Sequence, residues 1–137
     1  MNIFLDDVRN VEEMGYMDNA AIYFQNEFKV VRNNREFVKL LDSATEKIEI
    51  ISFDHDLCPA HYIDLEEAAK NPFGTGQEAF YHFINWITRK GIKYNIKIIF
   101  HTMNYHGLEA MVALFKRKTW LTNVELIHTT PIRYLAR

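Results

Sequence analysis

The 137-residue chain has one cysteine, Cys58, so no internal disulfide can form and nothing marks the protein as secreted. It lacks an unbroken apolar run long enough to cross a bilayer. It also lacks a basic segment followed by a long apolar one at its start. These absences lead us to expect a cytoplasmic protein with no membrane partner. No excess of one charge sign is present. A formal net charge of -2 argues against a protein held mainly by nucleic-acid phosphates. Internal repeats, low-complexity tracts and linkers are missing too, so residues 1–137 are expected to form one domain.

What is present is a repeated move. The apolar run Ile50-Ile51-Ser52-Phe53 ends in Asp54-His55-Asp56. Ile3-Phe4-Leu5 likewise ends in Asp6-Asp7, and Ile96-Lys97-Ile98-Ile99-Phe100 ends in His101-Thr102, with Asn104 just beyond. Short β-branched and aromatic runs read as buried strands. Strands are therefore expected over 2–5, 28–32, 48–53, 96–101 and 123–127. Between them lie helical patterns. Asn33-Asn34 offers an N-cap before Glu36, and Phe37, Leu40, Leu41 and Ala44 follow at helical spacing. Gly76 opens a helix with Phe80, Phe83, Ile84 and Ile87 inward and Gly91 as C-cap. A third helix is expected from about His106-Gly107, with Leu108, Met111, Val112 and Phe115 inward. Residues 8–24 read as irregular with one helical turn, broken at Gly15 and Asp18-Asn19. Asp56 to Thr75 reads as a long connection with a short helix over Ile63 to Lys70, and 128–137 as a tail. This alternation predicts an α/β domain of three layers, flavodoxin-like, whose five-stranded parallel sheet has the order 2-1-3-4-5.

In such a sheet the strand ends share one pocket. Asp6, Asp7, Asp54 and Asp56 would then converge. Two like charges about 4 Å apart repel by about 4 kcal/mol at an effective dielectric near 20, so the cluster needs a cation or a shared proton. A divalent cation, Mg²⁺ or Mn²⁺, suits oxygen ligands, with Asp6, Asp7 and Asp54 as the metal set. Imidazole would also suit Mn²⁺ or Zn²⁺. The plain alternative for any one Asp is that it ends a strand or caps a helix. His55, His101 and His106 flank strand ends, where each is either a solvated side chain or a general acid or base. His82 lies off its helix stripe and is expected to be exposed, while His61 and His128 carry no assignment. Thr75-Gly76 and His106-Gly107 open helices, whose N–H groups can hold an anion such as phosphate. Cys58 reads as a small buried hydrophobe rather than a nucleophile.

The paired acids, Asp54 and the hydroxyl Thr102 resemble the acidic pocket of response-regulator receiver domains. That resemblance implies a phosphoacceptor at Asp54 and a signalling role. The receiver lysine is missing, since Thr130 precedes Pro131. A closer resemblance is to the cyclic-phosphate processing receiver domains. It rests on Phe4-Leu5-Asp6-Asp7-Val8-Arg9, Asp54-His55-Asp56-Leu57, Thr75-Gly76, Trp86, His101-Thr102-Met103-Asn104, Gly107 and Met111. The chain departs from that pattern at Thr102 (usually Ser), Tyr105 (Pro) and Ala110 (Asn). The resemblance implies a metal-dependent phosphoesterase of bacteria or phages that acts on a cyclic nucleotide or cyclic phosphate. An RNA end carrying a cyclic phosphate belongs among the candidate ligands. The catalytic candidates are His101, His55 and Asp56, and the candidate phosphate binders are Arg9, Thr75, Gly76, Thr102, Asn104 and Gly107. The alternatives are the signalling domain and a non-catalytic module that sequesters a nucleotide.

Overall fold

The computed structural model describes residues 1–57 and 75–127. Expectations that fall on Cys58, His61, the 63–70 helix and the 128–137 tail lie outside those residues. The strands are β1 (Asn2–Leu5), β2 (Lys29–Val31), β3 (Ile50–Phe53), β4 (Ile96–Phe100) and β5 (Val124–Ile127). They form one sheet in the order β2-β1-β3-β4-β5, with every neighbouring pair parallel. The expected order is therefore the observed one.

Three helices bury one face of the sheet. They are α2 (Asn34–Ser43), α3 (Gly76–Lys90) and α4 (Tyr105–Arg117), which follow the short α1 (Ala21–Phe24) in the chain. Ile3, Leu5, Ile51, Phe53, Ile98 and Phe100 meet Phe37, Phe80, Phe83 and Met111 there in one core cluster. Phe53 lies at its centre, with its ring 5.5–5.9 Å from those of Phe37, Phe80, Phe83 and Phe100. Each helix starts on a side-chain cap. Asn33, Thr75 and Asn104 accept the N–H of Glu36, Glu78 and Gly107, respectively. Gly91 ends α3 with φ 62°, a left-handed conformation that favours glycine. Helix α4 begins at Tyr105, slightly before the His106-Gly107 start expected from the sequence, because Asn104 supplies the cap.

The opposite face is covered by a 3-10 helix, Val11–Tyr16, and by the four-residue α1, Ala21–Phe24. Met14, Met17 and Tyr23 from this segment pack on Phe4, Ile50 and Ile99. The irregular reading of residues 8–24 holds in kind. Gly15 sits inside the 3-10 turn, and Asn19 takes a positive φ of 54°, which asparagine tolerates better than most residues.

Phe53→Ala should lower unfolding free energy by about 3–5 kcal/mol, because it leaves a cavity among four rings. Tyr81, which is exposed, should tolerate Ala within about 0.5 kcal/mol. Urea titration of both variants checks this, and equal losses would disprove the central place given to Phe53.

Candidate functional site

The parallel register aligns the strand ends. Leu5 pairs with Phe53, and Phe53 with Phe100. The next residue of each strand is Asp6, Asp54 or His101, and the ladder extends one step to hold them. Asp6 N donates to Val31 O, Asp54 N to Leu5 O, and His101 N to Phe53 O. Side chains alternate along a strand, so all three lie on the face that carries Phe4, Ser52 and Ile99. Asp6 and His101 are fully buried and Asp54 is 1% exposed. Asp6, Asp54 and His101 each offer a donor atom within 4.8 Å of the others, and among the described residues this is the group that could hold a metal ion.

The two carboxylates are partnered unequally. Asp6 Oδ1 accepts the backbone N–H of Val8 and Arg9, and Oδ2 lies 3.0 Å from His101 Nε2. Arg9 Nη1 stands 3.6 Å from the same oxygen. Burial alone would raise the Asp6 pKa. The His101 hydrogen bond, aided by the two backbone N–H groups, outweighs it and holds the carboxyl at about 2. Among the described residues, Asp54 Oδ1 accepts only the His55 N–H, and Oδ2 is buried with no hydrogen-bond partner. Burial pushes this carboxyl up to about 6, and the Asp6 charge adds to the rise. A buried carboxylate oxygen without a partner calls for a proton or a cation.

The expected metal ligand Asp7 is half-buried beside this pair rather than within it. Burial raises its pKa first, and the neighbouring charges of Asp6 and Asp56 add to the rise. His55 and Asp56 form a dyad at the rim. His55 Nδ1 is 3.0 Å from Asp56 Oδ1, and Asn104 Nδ2 donates to Asp56 Oδ2 at 3.1 Å. No hydrogen bond to a described residue engages His55 Nε2. His106 is exposed and joins no part of this arrangement, and His82 is exposed as expected.

The two glycines do something other than bind an anion through free N–H groups. Gly76 N donates to His55 O at 2.7 Å, and a Cβ on Gly76 would lie 1.6 Å from Asp54 O. Gly107 N is capped by Asn104 Oδ1, and a Cβ there would strike the His55 ring at 2.5 Å. Both glycines give clearance for the Asp54-His55 corner. Thr75 Oγ1 caps α3. Thr102 Oγ1 accepts the Asn104 N–H and is 3% exposed. Of the expected phosphate binders, Arg9 is the cation at the pocket.

Three participants escaped the sequence reading. Ser52 and Tyr23 continue the hydrogen bonds behind His101. Arg32 Nη1 donates to the Asp6 and Arg9 carbonyls, bracing the turn after β1. A hydroxyl in the middle of an otherwise apolar strand was the available signal for Ser52. Tyr23 lies in the irregular segment, where no pattern marks it.

A parallel sheet with buried acids at the carboxyl ends of its central strands defines a receiver-like α/β domain. The family model of the cyclic-phosphate processing receiver domain matches residues 1–117, and the chain belongs to that family. No curated protein and no solved structure matches it. Among the described residues, no helix is long and apolar enough to cross a membrane.

The two carboxyls predict opposite pH effects on the metal-free protein. Asp54 titrates near 6 when folded, against 3.8 ordinarily. Between those values the folded state holds the extra proton, so stability falls as pH rises from about 4 to 6 and stays lower above. Asp6, held at about 2, contributes stability above its ordinary pKa that is lost as pH falls towards that value. Asp54→Asn should flatten the slope between pH 4 and 6 and raise stability at pH 7 by on the order of 1–3 kcal/mol. Urea midpoints in chelator across pH 3–8 measure this; superimposable curves for the two proteins would contradict the assignment.

Proposed function

We propose that the chain is a divalent-cation-dependent phosphoesterase acting on a cyclic phosphate or cyclic nucleotide. The observation that carries this reading is the unpartnered, buried Asp54 Oδ2 beside the Asp6 carboxylate. The donor set fits a hard divalent ion, Mg²⁺ or Mn²⁺. Asp6 and Asp54 would hold it, with Asp7 beside them. When bound, such an ion supplies Lewis acidity towards a phosphoryl oxygen and makes a water more acidic.

The chain's own residues supply proton transfer and orientation. Asp56 holds His55 through Nδ1, and Asn104 holds Asp56, so the imidazole presents Nε2 in one orientation. His55 Nε2 would take the proton of the attacking water as oxygen bonds to phosphorus. It would return that proton to the ester oxygen as the ring P–O bond breaks. This is the orientation logic of a His held by a carboxylate. Arg9, already 3.6 Å from Asp6, is placed to add a charge-assisted contact to phosphate. The sequence also offers His101 as a general acid or base. Both its ring nitrogens are engaged and it is fully buried, which favours His55 for that role. The family description supports a phosphate ligand, and the choice of a cyclic one rests on it.

A screen of cyclic and linear nucleotides and cyclic phosphates with Mg²⁺ or Mn²⁺ tests the reading. His55→Ala should lower turnover about a hundred- to ten-thousand-fold and leave cation binding nearly intact, whereas Asp54→Asn should abolish both. If nucleotides bind but no ester is cleaved, the sequestering module replaces the enzyme. Stoichiometric labelling of Asp54 by acetyl phosphate would instead restore the signalling reading.

A further inference from the structure

The hydrogen bonds behind Asp6 lead away from the pocket into the core. His101 Nε2 is 3.0 Å from Asp6 Oδ2, His101 Nδ1 is 2.7 Å from Ser52 Oγ, and Ser52 Oγ is 2.8 Å from Tyr23 OH. All four side chains are buried. Phe4 stacks flat on the imidazole, with centroids 4.5 Å apart and planes at 8°, and Tyr23 meets it edge-on. The ring is therefore fixed in place, and no role described so far uses Ser52 or Tyr23.

The protons of this chain can be assigned by counting donors. A phenol and a serine hydroxyl each have one proton to donate. Among the described residues, Tyr23 OH has Ser52 as its sole hydrogen-bond partner. If Tyr23 accepted from Ser52, its own proton would be buried and unpaired, which folded proteins avoid because the desolvation of that donor goes uncompensated. Tyr23 therefore donates to Ser52. The Ser52 proton then points to His101 Nδ1, which accepts it. An imidazole that accepts at Nδ1 carries its own proton on Nε2, and Nε2 faces Asp6.

We propose that Tyr23 and Ser52 are positioning residues that lock His101 as the Nε2–H tautomer, making it a hydrogen-bond donor to Asp6 and neither a metal ligand nor a proton donor to substrate. His101 Nε2 and the two backbone N–H groups fix both Asp6 oxygens in orientation. The tautomer stands independently of the cation reading, while its consequence for cation affinity rests on that reading. Outer partners of this kind typically change metal affinity ten- to a hundredfold.

Long-range ¹H–¹⁵N correlation on the metal-free protein decides the tautomer. Expected is a pyrrole-like Nε2 and a pyridine-like Nδ1 for His101; a proton on Nδ1 overturns the proposal. Loading with ¹¹³Cd²⁺ should give no ¹¹³Cd–¹⁵N coupling to His101, and a coupling overturns it as well. Ser52→Ala and Tyr23→Phe should weaken Mn²⁺ binding ten- to a hundredfold, with Ser52→Thr restoring most of the loss through its retained hydroxyl. Wild-type affinity in both hydroxyl-deleted variants would refute the positioning role. If the wild type binds no divalent ion, the enzyme reading fails on its own, and the tautomer spectrum still decides this proposal.

Discussion

Two carboxylates stand side by side inside the protein because two parallel strands end in register. Asp6 and Asp54 follow a paired Leu5 and Phe53, and neither can move without breaking the ladder. In a medium of low dielectric such a pair cannot carry two uncompensated charges. The fold resolves this on one side only. Asp6 is surrounded by donors, whereas Asp54 has an oxygen with none. Groups whose environments push their pKa values apart in this way commonly divide the labour of a site. The close packing at the corner follows from the same constraint. Gly76 lets α3 start against the Asp54 carbonyl, and Gly107 lets α4 start under the His55 ring. The capping asparagine of α4 reaches the Asp56 carboxylate as well, so the helix that closes the core also sets the orientation of the rim.

The family membership and the local chemistry agree where the chain departs from the family pattern. Thr102 stands where serine is usual, and its hydroxyl still accepts the Asn104 N–H within the buried site. The other two departures, Tyr105 and Ala110, are exposed on α4. The variation therefore either preserves the hydroxyl or falls on the surface, and the packing of His55 on Gly107 is untouched.

The sheet order was legible because apolar runs alternated with helical spacing, and the strand-end acids because a buried run cannot continue into charge. His101 was legible as a site residue for the same reason. Its partners were not, since a sequence does not show which face a strand-end side chain takes or what lies behind it. Gly76 and Gly107 signalled helix starts correctly. Their service to Asp54 and His55 depends on tertiary approach, which spacing along the chain does not encode. Ser52 offered only an isolated hydroxyl, and Tyr23 comes from a 3-10 and single-turn segment whose short elements leave no periodicity to read.

Among the described residues, the two faces of the sheet are covered unevenly, and this has a consequence for motion. The face carrying the polar chain is closed by the 3-10 helix and α1, short elements of the kind that open at low free-energy cost, while long helices guard the other face. Tyr23 sits on α1 and is joined through Ser52 and His101 to Asp6, so fraying there would admit water behind the carboxylate and loosen its aim. Linkage makes this reciprocal. Whatever tightens Asp6 would quieten residues 11–24, and whatever disturbs those residues would be felt at Asp6. Among the described residues, the least regular stretch is thus the one that one row of buried hydrogen bonds joins to the carboxylate beneath it.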